Sequence, residues 1–301
     1  MQMRIFILFI STIGILYGQN KSIRVQGNAP LLTNTTIALG QYSDYITQTE
    51  TILSTQNIGS DGKFLITLDN VLTGEYILHI GTVNHSLILE PGHTYNLEIP
   101  DQVGEELYYP TETDTTLLLY QVSNLDYQIN YFSVYNYEDF ANGRIKNKLK
   151  KFIDSMDVQY SFIKDKYFIE YKEYKMAVLM SNARYKSRRT LFQTFFKSKP
   201  ILYNHPQYMA YFNEMYTGMM NELIKLGNNT AITNAITNGT SIDSILVTIK
   251  KQELGDDSDL AELICIKGLF ELYYLPGFDK YKIEQLVIEL KENTKRITIG
   301  V

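Results

Sequence analysis

From Ser60 to Pro100 the chain reads SDGKFLITLDNVLTGEYILHIGTVNHSLILEPGHTYNLEIP, with apolar and polar residues alternating between turn residues. Phe64, Ile66 and Leu68 fall on one face after the Asp61-Gly62 turn. Tyr76, Leu78 and Ile80 do the same after Gly74, then Leu87 and Leu89, then Tyr95, Leu97 and Ile99 after Pro91-Gly92. Period-two runs bounded by Gly, Pro, Asn and Asp predict short antiparallel strands with one buried face. Upstream, Ile23, Val25 and Gly27 give a first strand, Thr35, Ile37 and Leu39 a second, and the segment through Ile52 and Leu53 a third. About seven strands in some 80 residues predict a β-sandwich of two packed sheets.

The period changes after Asp101. DQVGEELYYPTETD is polar, carries Gly104 and Pro110, and reads as a linker over residues 101–114. Beyond it apolar residues recur at three and four. Leu118, Val122, Leu125 and Ile129 suggest a helix, although LLLYQV could also begin a strand. Ile145, Leu149, Phe152, Ile153 and Met156 form an amphipathic stripe with lysines opposite, and Phe168, Tyr171, Tyr174 and Val178 another. A helix is expected from Pro206, suited to a first turn, to Gly227, suited to an end. Asn228–Gly239 reads as a polar insert. Further helices follow over 241–251 and 259–274, where Asp259 and Glu262 have capping-box spacing, and over about 280–292 after Pro276-Gly277. The expected fold class is α+β in two domains: an antiparallel β-sandwich over 19–100, then an all-α domain of six or seven helices over 115–301.

Composition adds a compartment. Arg4 followed by IFILFISTIGILYG, then Gly18-Gln19-Asn20, has the form of a signal peptide over residues 1–18. Export to the periplasm or cell envelope is therefore expected, with membrane contact only through an uncleaved signal. No cysteine lies beside the cleavage point to carry a lipid. The net charge of −5 argues against a dedicated nucleic-acid binder. The chain has 24 tyrosines and no tryptophan, so its aromatic mass carries polar ends that suit half-buried surfaces.

Chemistry is sparsely signalled. Cys265 is the single cysteine and sits in the apolar run LAELICIKGLF, which excludes an internal disulfide and a CxxC pair. His79, His85 and His93 lie on or beside neighbouring strands without HxH or HExxH spacing, and His205 precedes a proline at a helix start, as a capping residue would. There is no GxSxG elbow, and Glu105-Glu106 and Asp256-Asp257 fall in polar loops. No catalytic, metal or cofactor-binding residue is assigned. Two stretches are candidate surfaces. In ARYKSRRTLFQTFFKSKP, Lys186, Arg188, Arg189, Lys197 and Lys199 interleave with Phe192, Phe195 and Phe196, as either an anion-binding face or a helix with a buried phenylalanine stripe and a solvated basic side. Around QINYFSVYNYEDF, Tyr127, Tyr131, Tyr135 and Tyr137 could line a peptide or carbohydrate groove, or form core and rim.

YSDYITQTETIL followed by SDGKF, then LEPGHTYNLEIP, KPILYNHPQYMAYFNEMY and DDSDLAELICIKGLFELYY, resembles the N-terminal part of exported TlpA/ResA-like thioredoxin-family proteins of the Bacteroidetes type. The resemblance implies a sandwich and helices preceding a thioredoxin domain whose WCxxC motif does thiol-disulfide chemistry. This sequence ends at RITIGV without tryptophan or a CxxC, so no catalytic residue carries over. What it implies here is a non-catalytic accessory module, without cofactor, that binds a partner or substrate protein of the envelope. The alternative is a stand-alone glycan- or peptide-binding envelope protein.

Overall fold

The computed structural model of the chain describes residues 21–99, 117–225, 230–252 and 258–293. The signal-peptide and linker expectations, both acidic pairs and Gly227 lie outside these residues. The described part is α+β: seven strands in two sheets come first, and a helical region follows.

Strands β1 (Ile23–Asn28), β2 (Thr36–Tyr42), β3 (Glu50–Asn57), β4 (Lys63–Leu68), β5 (Gly74–Ile80), β6 (Val83–Leu89) and β7 (Thr94–Glu98) form sheets of order β4-β1-β7 and β3-β2-β5-β6. The alternating residues meet between the sheets: Val25, Phe64, Ile66, Tyr76, Leu78, Leu87, Tyr95 and Leu97 are all buried in one cluster. One pairing departs from the antiparallel expectation. β1 and β7 run parallel, with Val25 opposite Tyr95. Gly27 permits the close approach there, because a Cβ would meet the Leu97 carbonyl oxygen at 2.0 Å. β3 is the outlying edge strand, with no buried residue.

Eleven α-helices lie among the described residues: α1 (Leu118–Tyr135), α2 (Tyr137–Ala141), α3 (Lys146–Gln159), α4 (Lys166–Asn182), α5 (Arg188–Phe195), α6 (Pro206–Tyr216), α7 (Met219–Lys225), α8 (Thr230–Asn238), α9 (Ile242–Lys250), α10 (Ser258–Tyr274) and α11 (Lys280–Asn293). The expected six or seven are thus more and shorter. The single helix read from Pro206 breaks at Gly218, whose φ of 74° is a left-handed conformation that glycine adopts without strain. Glu271 Oε2 accepts the Gly218 N–H at 3.0 Å, while its other oxygen pairs with buried Lys267 at 2.7 Å. The polar insert is largely helix α8, because Ile232, Ala235 and Ile236 supply a buried i, i+3, i+4 face among its Asn and Thr residues. α10 starts at Ser258, which puts Asp259 inside the first turn.

The sheets and helices share surfaces. Glu90, just past β6, accepts the Leu118 N–H at 2.9 Å and so satisfies a first-turn donor of α1. Leu117 and Leu119 join the sandwich core, whereas Ile88 on β6 joins Leu118, Val122 and Leu125 in a helical cluster. On the other side Tyr45, between β2 and β3, belongs to the large helical core, and its carbonyl accepts from Asn213 Nδ2 at 2.7 Å.

Candidate binding surface on helix α1

Helix α1 is anchored at its start and uncovered at its end. Leu118, Leu119, Val122 and Leu125 are its buried residues, and from Tyr127 to Tyr135 none is buried. The hydrophobic stripe used to dock the first two turns therefore leaves Tyr127, Tyr131 and Tyr135, spaced by four, on the opposite side. Their exposures are 70%, 62% and 75%. Successive rings stack, with centroids 6.5 Å apart and 23° between planes for Tyr127–Tyr131, and 6.0 Å and 10° for Tyr131–Tyr135. None of the three hydroxyls has a hydrogen bond among the described residues.

The ladder walls a groove of about 270 Å³ completed by Gln128, Phe132, Asn136 and Phe152. Its floor is set by Phe132 stacked on Phe152 of α3, centroids 4.2 Å apart and planes within 10°. Asn136 in the groove is engaged through both its amide atoms, and Gln128 through its nitrogen. Gln128 Nε2 donates to the Tyr160 hydroxyl at 2.9 Å, and Asn136 Nδ2 donates to the Phe132 carbonyl at 2.8 Å while its oxygen accepts from Lys148 at 3.1 Å. The surface therefore offers carbon faces and tyrosine hydroxyls, with little free hydrogen-bonding capacity at its floor. An exposed aromatic patch of this kind is a recurrent mark of interaction sites. Tyr137, the fourth expected residue, is 72% exposed but opens α2 and does not line the groove.

The other singled-out residues are placed apart from it. His79 on β5 bridges Glu50 of β3 and Asn84 of β6 in the β3-β2-β5-β6 sheet, His85 lies on β6, and His93 is in the turn before β7. No group of three His, Cys, Asp or Glu side chains that could hold a metal ion occurs among the described residues. His205 caps α6: Nδ1 accepts the Tyr208 N–H at 3.4 Å and Nε2 donates to the Tyr167 carbonyl at 3.3 Å. Desolvation holds this imidazole neutral, its pKa pushed down to about 4. Cys265 is fully buried, and burial pushes its thiol up and away from the reactive thiolate. The phenylalanines of the basic run, Phe192, Phe195 and Phe196, are in the helical core; Lys199 pairs with Glu173 at 2.7 Å. A second concavity, not foreseen as a unit, gathers Lys146 with Arg184, Lys186 and Arg188.

No helix among the described residues is long and apolar enough to cross a membrane. No protein-family model, curated protein or solved structure matches this chain.

Proposed function

We propose that the chain is an exported binding module that holds an extended, apolar segment of a partner or substrate protein against the α1 tyrosine ladder. The observation that carries this reading is the exposure of Tyr127, Tyr131 and Tyr135 in stacked register over a phenylalanine floor. Eight residues of helix advance about 12 Å, the length of about four residues of extended chain. Tyrosine binds with large area and only two side-chain torsions to freeze. A glycan would need several polar partners, and beyond the tyrosine hydroxyls the groove floor keeps only the Gln128 oxygen uncommitted among the described residues. The Gln128 N–H group donates to Tyr160, and Asn136 is held by Phe132 and Lys148. A peptide presenting apolar side chains meets no such shortage. The form of residues 1–18 supports export. The resemblance to the N-terminal part of thioredoxin-family proteins supports an accessory role beside a thiol-disulfide enzyme. In this role the chain positions a protein and performs no chemistry itself.

The chain's lack of tryptophan supplies the test. Short peptides of alternating apolar and polar residues, each carrying one tryptophan, report binding through their own fluorescence anisotropy. We expect saturable binding that weakens at least about tenfold in the triple variant Tyr127→Ala, Tyr131→Ala, Tyr135→Ala, with an unchanged circular dichroism spectrum. Binding that ignores the three substitutions would place the peptide elsewhere and end this reading.

A further inference from the structure

The cleft between the ends of α4 and α6 and the start of α5 has a volume of about 570 Å³. That volume falls within the range of small-molecule sites, and the cleft is open to solvent. Its wall carries Lys146, Arg184, Lys186 and Arg188 against a single carboxylate, Glu214. In a chain with a net charge of −5 this is a local reversal of sign. Arg188 is held by the Met215 carbonyl and by Glu222 at 4.0 Å. Lys146, Arg184 and Lys186 have no ion pair or side-chain hydrogen bond among the described residues, and Glu214 is paired with none of them.

Arg184 adds an observation of a different kind. Helix α4 ends in a Schellman turn, in which the Arg184 N–H donates to the Ser181 carbonyl at 2.9 Å and the Tyr185 N–H to the Met180 carbonyl at 2.9 Å. Arg184 occupies the left-handed position of that turn, with φ of 47°. Glycine is the residue this position favours, because a side chain there is strained. The chain instead places a guanidinium there, unpaired, on the wall of a cationic cleft. Local folding does not call for it.

We propose that this cleft binds a small, multiply charged phosphate compound, with Arg184 as a principal contact and Lys146, Lys186 and Arg188 sharing the remaining charge. Guanidinium groups present paired donors that match the oxygens of phosphate, and the lysines add charge without fixed geometry. The site is independent of the tyrosine ladder, which lies on α1.

Inorganic pyrophosphate, titrated calorimetrically into the full chain, is the probe, with sulfate at matched ionic strength as the comparison. The expected result is saturable one-to-one binding of pyrophosphate that weakens as salt is raised and is stronger than any response to sulfate. Arg184→Gly separates a ligand contact from a structural role. It should leave the thermal midpoint unchanged or higher, because glycine relieves the strained position, yet weaken pyrophosphate at least about tenfold. Lys186→Gln, on the same wall, should weaken it less with no change in midpoint. The proposal is overturned if pyrophosphate does not bind, if it binds equally to Arg184→Gly, or if a single-stranded oligonucleotide binds while pyrophosphate does not.

Discussion

Tyr171, Tyr174, Tyr208 and Tyr211 are buried around α4 and α6, whereas Tyr127, Tyr131 and Tyr135 stand in solvent along α1. In the first group ring meets ring in edge and tilted arrangements, such as Tyr174–Tyr208 at 5.0 Å and Phe195–Tyr211 at 5.5 Å. Some polar ends find partners there: the Tyr171 hydroxyl donates to Asp126 at 2.7 Å, and Asp126 also pairs with Lys175 at 2.9 Å, whereas the Tyr211 hydroxyl is buried without a partner among the described residues. In the second group the hydroxyls have no partner, and the rings touch chiefly one another. One residue type thus builds a core where its ring is enclosed on every side and a platform where one side of the ring is left to solvent. The difference lies in the helix face, since α1 spends its apolar stripe on β6 and α4 and has nothing left to cover its far side.

Substitutions should split along that division. The largest effect is expected for Phe212→Ala, which empties a fully buried site among Phe196 and Tyr216. It should cost about 3–5 kcal/mol in denaturant unfolding, a large share of a typical domain's stability. Next comes His205, the imidazole at the centre of the buried tyrosines. Unfolded, it takes up a proton near pH 6.5; folded, it does so only near about 4. Between those values the unfolded chain binds the proton first, so stability falls as pH drops, by about 3 kcal/mol at the lower end. Stability measured across this window should fall less steeply in His205→Asn, which keeps a capping side chain but cannot titrate. An unaltered pH profile would show that His205 is not the group responsible.

Tyr171→Phe should cost less, about 1–2 kcal/mol, because it removes one hydrogen bond and leaves Asp126 with Lys175. Smallest of all is the triple ladder substitution to alanine, expected within about 1 kcal/mol of the unsubstituted chain by the same unfolding measurement. A loss of several kcal/mol there would mean that the ladder packs as core and would erase the contrast.

Much of the architecture can be read from local pattern. Phe64, Ile66 and Leu68 alternate and are buried together, and Pro206 opens α6 as its position suggests. The ladder was only half legible: the tyrosines stand four apart, but the sequence left open whether they line a groove or form core and rim, because the start of the α1 stripe could also be read as a strand. What local pattern cannot carry is long-range partnership. The parallel β1–β7 pairing joins residues some 70 positions apart without a connecting turn. Lys146 approaches Arg184 and Arg188 only because α3 returns beside α4. The linker expectation had no means of showing that Tyr45 would enter the helical core, or that Glu90 would cap α1.

The two tyrosine populations can be separated in one experiment, nitration of the native chain followed residue by residue by mass spectrometry, with and without the tryptophan peptide. The account predicts rapid modification of Tyr127, Tyr131 and Tyr135, slow modification of Tyr171, Tyr174 and Tyr211, and protection of the first three when the peptide is bound. Ladder tyrosines that react as slowly as those of the core, or that stay fully reactive with peptide bound, would contradict it.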